Sequence, residues 1–158
     1  VVVFIDHQGA TGAGHMAILI QNDKGNWKLY SKNGTANGVS GPSEDPQSGE
    51  EDVTYNTIQD FLGDDDSKQN RYDEGLLIPS DAKQDEAMRK EAAKQVQENY
   101  ELLGNSCLNT VTRSLEKGNI KNGSRGFLET SFGQTYVPNI RFEYIKMDNP
   151  NATVIKRK

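Results

Sequence analysis

The sequence predicts an α+β domain in which a central antiparallel sheet packs on a helix carrying the chain's one cysteine. Three observations carry that expectation. Short apolar runs rich in β-branched and aromatic residues recur, at residues 1–5, 15–21, 27–32 and 76–79. Strong helix formers fill the stretch after Pro79. Cys107, Leu108, Val111 and Leu115 then fall at spacings of three and four, the signature of one buried helix face.

Taken in order, "VVVFI" reads as a buried strand and "DHQGATGAG" as a loop, since three of its residues lack a side chain. "HMAILIQ" and "WKLYS" read as two strands joined by the turn residues "NDKGN", so residues 15–33 form a hairpin. Residues 35–73 are rich in Gly, Ser, Pro and acid and read as an acidic loop insertion with little to bury, in which "TYNTIQDFLG" is one short helix. "GDDDSK" lacks the Asp-x-Asp-x-Asp-Gly spacing and distal Glu of a calcium loop and reads as solvated. "GLLIPS" is a strand ended by Pro79. Ser80 or Asp81 caps a helix predicted to run to about Leu103, with Ala92, Val96, Tyr100 and Leu103 as its apolar stripe and Gly104 as its stop. Asn105 or Ser106 caps the Cys107 helix, which ends at Gly118. "YVPNIRFEYIKM" alternates Ile140, Phe142 and Tyr144 with charged neighbours, which predicts a half-buried strand over residues 139–147. "IKRK" reads as a short basic tail.

A length of 158 residues fits a single domain, 1–158, with a real core. The net charge of −5 argues against nucleic-acid binding, which depends on neutralising phosphates. No apolar run approaches the roughly 18–20 residues of a membrane span. One cysteine excludes an internal disulfide. The first residue is not Met, so the chain reads as a piece of a longer one.

Cys107 falls in the first turn of its helix, on the inward face. Free amides and the dipole of a helix N-terminus favour a thiolate, and a nearby imidazole can take or return its proton. Of two histidines, His15 opens a core strand, where such a base belongs, whereas His7 lies in the Gly-rich loop and reads as an exposed residue. If Gln21 faces Trp27 across the hairpin, Ala17 faces Ser31 and His15 faces Asn33. Ser31 or Asn33 then holds the imidazole, and a slip of one residue substitutes Tyr30 or Lys32.

"GHMAILI" with "NWKLYS", followed much later by "YELLGNSCLNTVTRSL", resembles the permuted NlpC/P60-type papain-like cysteine peptidases. In that group the histidine strand precedes the cysteine helix. The resemblance covers about residues 13–33 and 76–117. It implies a circularly permuted papain-like fold with Cys107 as nucleophile, His15 as base and Ser31 as the orienting polar residue. It also implies an oxyanion site at the Cys107 amide with help from Asn105, and no cofactor or metal. The sequence style also resembles toxin domains of bacterial polymorphic, Rhs-type secreted effectors. That likeness implies delivery into a target cell's periplasm or cytoplasm and a cognate immunity protein as partner. The activity so implied is amide or peptide hydrolysis, on peptidoglycan stem peptides first. A protein substrate or a glutamine side chain uses the same machinery. The alternative from another class is a non-catalytic papain-like adaptor.

Overall fold

The computed structural model describes residues 1–44, 46, 54–65, 70–126 and 137–157. Its elements are β1 (Val2–Asp6), a single turn α1 (Gly9–Gly12), β2 (His15–Gln21), β3 (Trp27–Tyr30), β4 (Ser40–Gly41), β5 (Thr54–Tyr55), α2 (Ile58–Leu62), β6 (Glu74–Leu77), α3 (Ala82–Gln97), β7 (Tyr100–Glu101), α4 (Cys107–Lys117), α5 (Pro138–Asp148) and β8 (Thr153–Lys156). Six strands form one antiparallel sheet in the order β5-β3-β2-β1-β6-β8. This is the expected α+β architecture with a central antiparallel sheet.

β1 and β2 lie at the centre, covered on both faces, which is why their sequences are continuous apolar runs rather than alternating ones. Alternation sorts their side chains into two cores. Val3, Ile5, Met16, Ile18 and Ile20 face a helical layer that includes Met88 and Ala92 of α3, Leu108, Val111 and Leu115 of α4, and Phe142 and Ile145 of α5. Val2, Phe4, Ala17 and Leu19 face the opposite way, onto Leu29, Tyr55, Phe61 and Tyr72. The hairpin register is the expected one, with Gln21 opposite Trp27 and Ile18 opposite Tyr30.

Asp81 and Gln84 cap α3 reciprocally, and at the start of α4 the Ser106 amide and hydroxyl both donate to Asn109 Oδ1. Here the first difference from the sequence reading appears. α3 ends at Gln97, not near Leu103, because Glu98 turns extended and the chain enters β7, which pairs with β4. Tyr100 is buried in that ribbon, and Leu102 and Leu103 are exposed. Met88, Ala92 and Val96 complete the helix's stripe, and its four-residue spacing runs on past the true end by coincidence.

Residues 139–147 are helical, within α5, and not a strand. Over five residues, Ile140, Phe142 and Tyr144 satisfy a two-residue period, but the buried set is Pro138, Arg141, Phe142 and Ile145, the three-and-four spacing of a helix. Pro138 starts it, at a position where a missing N–H costs nothing. Ile155 and Lys156, the first residues of the "IKRK" tail, end β8, which pairs with β6. The predicted insertion also behaves differently from a loop with little to bury. Tyr55, Phe61 and Tyr72 are buried and form much of the second core. The short helix within it is α2, capped by Thr57 and Asp60. The most polar part of that segment, 45 and 47–53 with 66–69, lies outside the described residues.

Candidate active site

The first half of the site is built on β1 and β2. His15 opens β2 directly opposite Asp6, the last residue of β1. Asp6 Oδ1 accepts the Gln8 and Gly9 amides, at 3.1 and 3.0 Å, and so folds the Gly-rich segment back over the strand ends. This segment is tied rather than loose. A Cβ on Gly9 would sit 2.7 Å from His15 Cβ, and one on Gly14, at φ +97°, would collide with Asn139 of α5. Both positions require glycine because the backbone passes so close.

His15 is buried and shares the face of Ala17 and Leu19. Its Nε2 meets Ser31 Oγ at 3.0 Å, and Ser31 Oγ meets Tyr72 Oη at 3.0 Å. The Tyr72 ring stacks on the imidazole with centroids 6.0 Å apart. The sequence expectation that Ser31 reaches His15 therefore corresponds to a direct bond in this register. Asn33 is half-buried one step further on, and its carbonyl accepts the Ser43 hydroxyl. Burial, helped by the field of Arg71, holds the His15 pKa down at about 3, so the ring is neutral at pH 7. Burial pushes the Tyr72 phenol well above its ordinary range.

The bonding inventory sets the resting proton positions. Tyr72 is fully buried and its hydroxyl has one partner among the described residues, Ser31. Keeping the phenol proton paired requires Tyr72 to donate to Ser31, and Ser31 then donates to His15 Nε2. The imidazole proton lies on Nδ1 in that arrangement, assigned here from the network. The reverse chain, from Nε2–H through Ser31 to Tyr72, frees Nδ1 but strands the phenol proton, at about 1–3 kcal/mol.

Cys107 is the first residue of α4 and is buried. Its sulfur lies against the backbone of Met16, the residue next to His15, and of Leu108. That contact falls beyond the end of the β2–β3 ladder at Ile18 and Tyr30. The helix terminus was expected to lower the thiol pKa, yet the thiol is shifted upward. Burial outweighs the hydrogen bonds from Met16 and Leu108 and the field of Arg71, all of which favour the thiolate. The Cys107 thiol also acts electrostatically on Tyr72, whose ring stacks on His15. The α4 face packs in the helical core, while the imidazole lies on the other face with Tyr72. Among the described residues no hydrogen bond joins the thiol to the imidazole, and Nδ1 is the ring nitrogen left without a partner.

Asn105 stands two residues before Cys107. Its Nδ2 donates to Glu98 Oε2 and to the Asn99 carbonyl, at 3.1 and 2.9 Å, so the amide group is already engaged. Lys32, adjacent to Ser31 but on the helical side, is fully buried, with Nζ 3.4 Å from the same carbonyl. Burial lowers its pKa to about 8 against the attraction of Glu98. His7 bonds Asp73 at 2.8 Å on the half-exposed rim.

Sequence reasoning missed three members of this cluster: Asp6, Arg71 and Tyr72. Asp6 was read as the first residue of the Gly-rich loop, whereas it is the last residue of β1. Arg71 and Tyr72 sat in a stretch whose composition pointed to solvent. No family model, curated protein or solved structure matches this chain. No described helix is long and apolar enough to cross a membrane.

Proposed function

We propose that the chain is a papain-like thiol hydrolase of amide bonds, with Cys107 as nucleophile and His15 as its base. One observation carries the reading: the chain's only thiol lies at the start of α4 against the backbone of Met16, one residue from a buried, neutral histidine. A neutral thiol beside a neutral imidazole is a competent resting pair, because the proton moves as the sulfur attacks. In this reading the reacting form is the Nε2–H tautomer, in which the Ser31 and Tyr72 hydroxyls point the other way, and its unprotonated Nδ1 takes the thiol proton. Cys107 Sγ bonds the carbonyl carbon, the amine leaves with that proton, and water then hydrolyses the thioester. The Cys107 amide, free at the helix start, faces the developing oxyanion. Asn105 positions the turn before Cys107 and does not itself donate to that oxyanion, since its NH2 group is spent on Glu98 and Asn99.

The substrate reading is a peptidoglycan stem peptide, attacked by a secreted antibacterial toxin that is neutralised by an immunity protein. This part rests on the resemblance of the Gly14–His15 strand and the Asn105–Cys107 turn to NlpC/P60-type peptidases. Digestion of purified sacculi beside a panel of cytosolic proteins, read by mass spectrometry, tests it. New amine and carboxyl ends in sacculi, absent with Cys107→Ala, support it. Cleaved or deamidated proteins with intact sacculi move the substrate to protein.

A second reading, a non-catalytic adaptor on the same scaffold, has its own support. Thiol and imidazole are both buried and both neutral, and among the described residues no hydrogen bond joins them. No Cys107-dependent product in either substrate class favours it.

A further inference from the structure

Arg71 is the charged group of this region that the proposed chemistry leaves unused. Its Nε donates to Asp6 Oδ2 at 2.9 Å. Its guanidinium carbon lies 5.9 Å from the centroid of the Tyr72 ring, which in turn stacks on His15. Both supports are themselves fixed. Asp6 is held by its place opposite His15 and by two amides on its other oxygen, and Tyr72 is buried. The guanidinium is thus set at the mouth of β2 before any ligand arrives.

What remains of it is unspent. Among the described residues neither Nη group has a hydrogen-bond partner, and the side chain keeps 32 % of its exposure. Asp6 engages a single nitrogen, so the outer edge presents two parallel N–H donors. That fork matches a carboxylate bidentately, a geometry lysine cannot offer. The same cation depresses the pKa of both His15 and Cys107, so its charge reaches both reacting groups.

We infer that Arg71 selects amide substrates that carry a carboxylate close to the scissile bond. The inference rests on the thiol-hydrolase reading and gives its substrate a charge. The carboxylate can be a chain terminus or an acidic side chain, and both present the same planar pair of oxygens. A bound anion also offsets the field of Arg71 at His15 and makes the base stronger when the right substrate is in place.

The test is a binding measurement on full-length Cys107→Ala protein, where turnover is blocked and effects through the thiol are removed. The probes are N-acetyl-alanyl-alanine, its C-terminal amide, and N-acetyl-alanyl-glutamate C-terminal amide, titrated with NMR detection of the Arg71 Nε–H and the His15 ring. At least one carboxylate probe is expected to bind about tenfold more tightly than the neutral amide and to raise the His15 pKa. In the Arg71→Gln background that ratio falls to about one, and Arg71→Lys keeps part of it. Which carboxylate probe binds identifies the source of the anion. Equal binding of charged and neutral probes, no binding of either carboxylate, or a ratio that survives Arg71→Gln overturns the inference. Failure of the hydrolase reading shows elsewhere, as Cys107→Ala protein that still cleaves its substrate.

Discussion

His15 makes the fold acid-sensitive, and the size of the effect follows from its burial. In the unfolded chain the imidazole takes a proton near pH 6.5, whereas in the folded chain it does so only at about 3. Between those values the unfolded state binds more protons, so stability is full above pH 6.5 and is lost as pH falls toward 3. The gap between 6.5 and about 3 corresponds to roughly 5 kcal/mol at about 1.36 kcal/mol per pH unit. This is an upper bound, because a ring that gains a proton can swing out or recruit water. The perturbation is His15→Phe, which removes the titration and keeps an aromatic ring against Tyr72. Urea unfolding at half-unit steps from pH 7.5 to 3.5 gives the stability of both proteins. The wild type is expected to lose several kcal/mol more than the variant across that window. NMR of the His15 ring should meanwhile show no protonation above about pH 4 while the protein stays folded. A ring that titrates near pH 6.5 in the folded protein, or two stability curves that run parallel, refutes the reasoning.

Other perturbations probe the same packing. Tyr72→Phe removes the donor that points Ser31 at His15, so the imidazole should shift toward the Nε2–H tautomer, read from ring nitrogen chemical shifts. Lys32→Met should stabilise the fold by about 1–2 kcal/mol at pH 7 in denaturant melts, because the ammonium is buried at a cost that attraction to Glu98 only partly offsets. With a folded pKa of about 8 against an ordinary 10.5, wild-type stability should also rise with pH through that window, and the variant should lose this rise. Phe61→Ala removes a fully buried ring 4.7 Å from that of Phe4 and should cost roughly 3–5 kcal/mol in the same melts. A loss below about 1 kcal/mol would return residues 35–73 to the status of a dispensable loop.

The parts of the fold that sequence made visible are those where one period dominates over many residues. The hairpin of β2 and β3 is set by two apolar runs and a turn, and its register brings Ser31 to His15. The start of α4 is set by a capping pair and a four-position stripe. Misreadings fell where two periods agree over a short stretch, as at Ile140, Phe142 and Tyr144, or where three buried aromatics are diluted by polar neighbours. Tyr55, Phe61 and Tyr72 are too widely spaced to form any local pattern, yet they cover one face of the sheet. Arg71 was invisible for a further reason. Its value lies in a partner 65 positions away, Asp6, and no local pattern encodes that pairing. The thiol's upward shift likewise depends on how completely α4 is packed, and a helix N-terminus in a sequence carries no measure of burial.

The central claim is that Cys107 and His15 work as one unit across the start of β2. The direct measurement is the hydrolysis rate of Cys107→Ala, His15→Ala and the double variant on the amide the wild type cleaves, with product counted by mass spectrometry. Members of one catalytic unit fail together, so the account predicts that each single variant loses nearly all activity and that the double variant is no slower than Cys107→Ala. Retained activity in Cys107→Ala, or losses that multiply between the two sites, contradicts it.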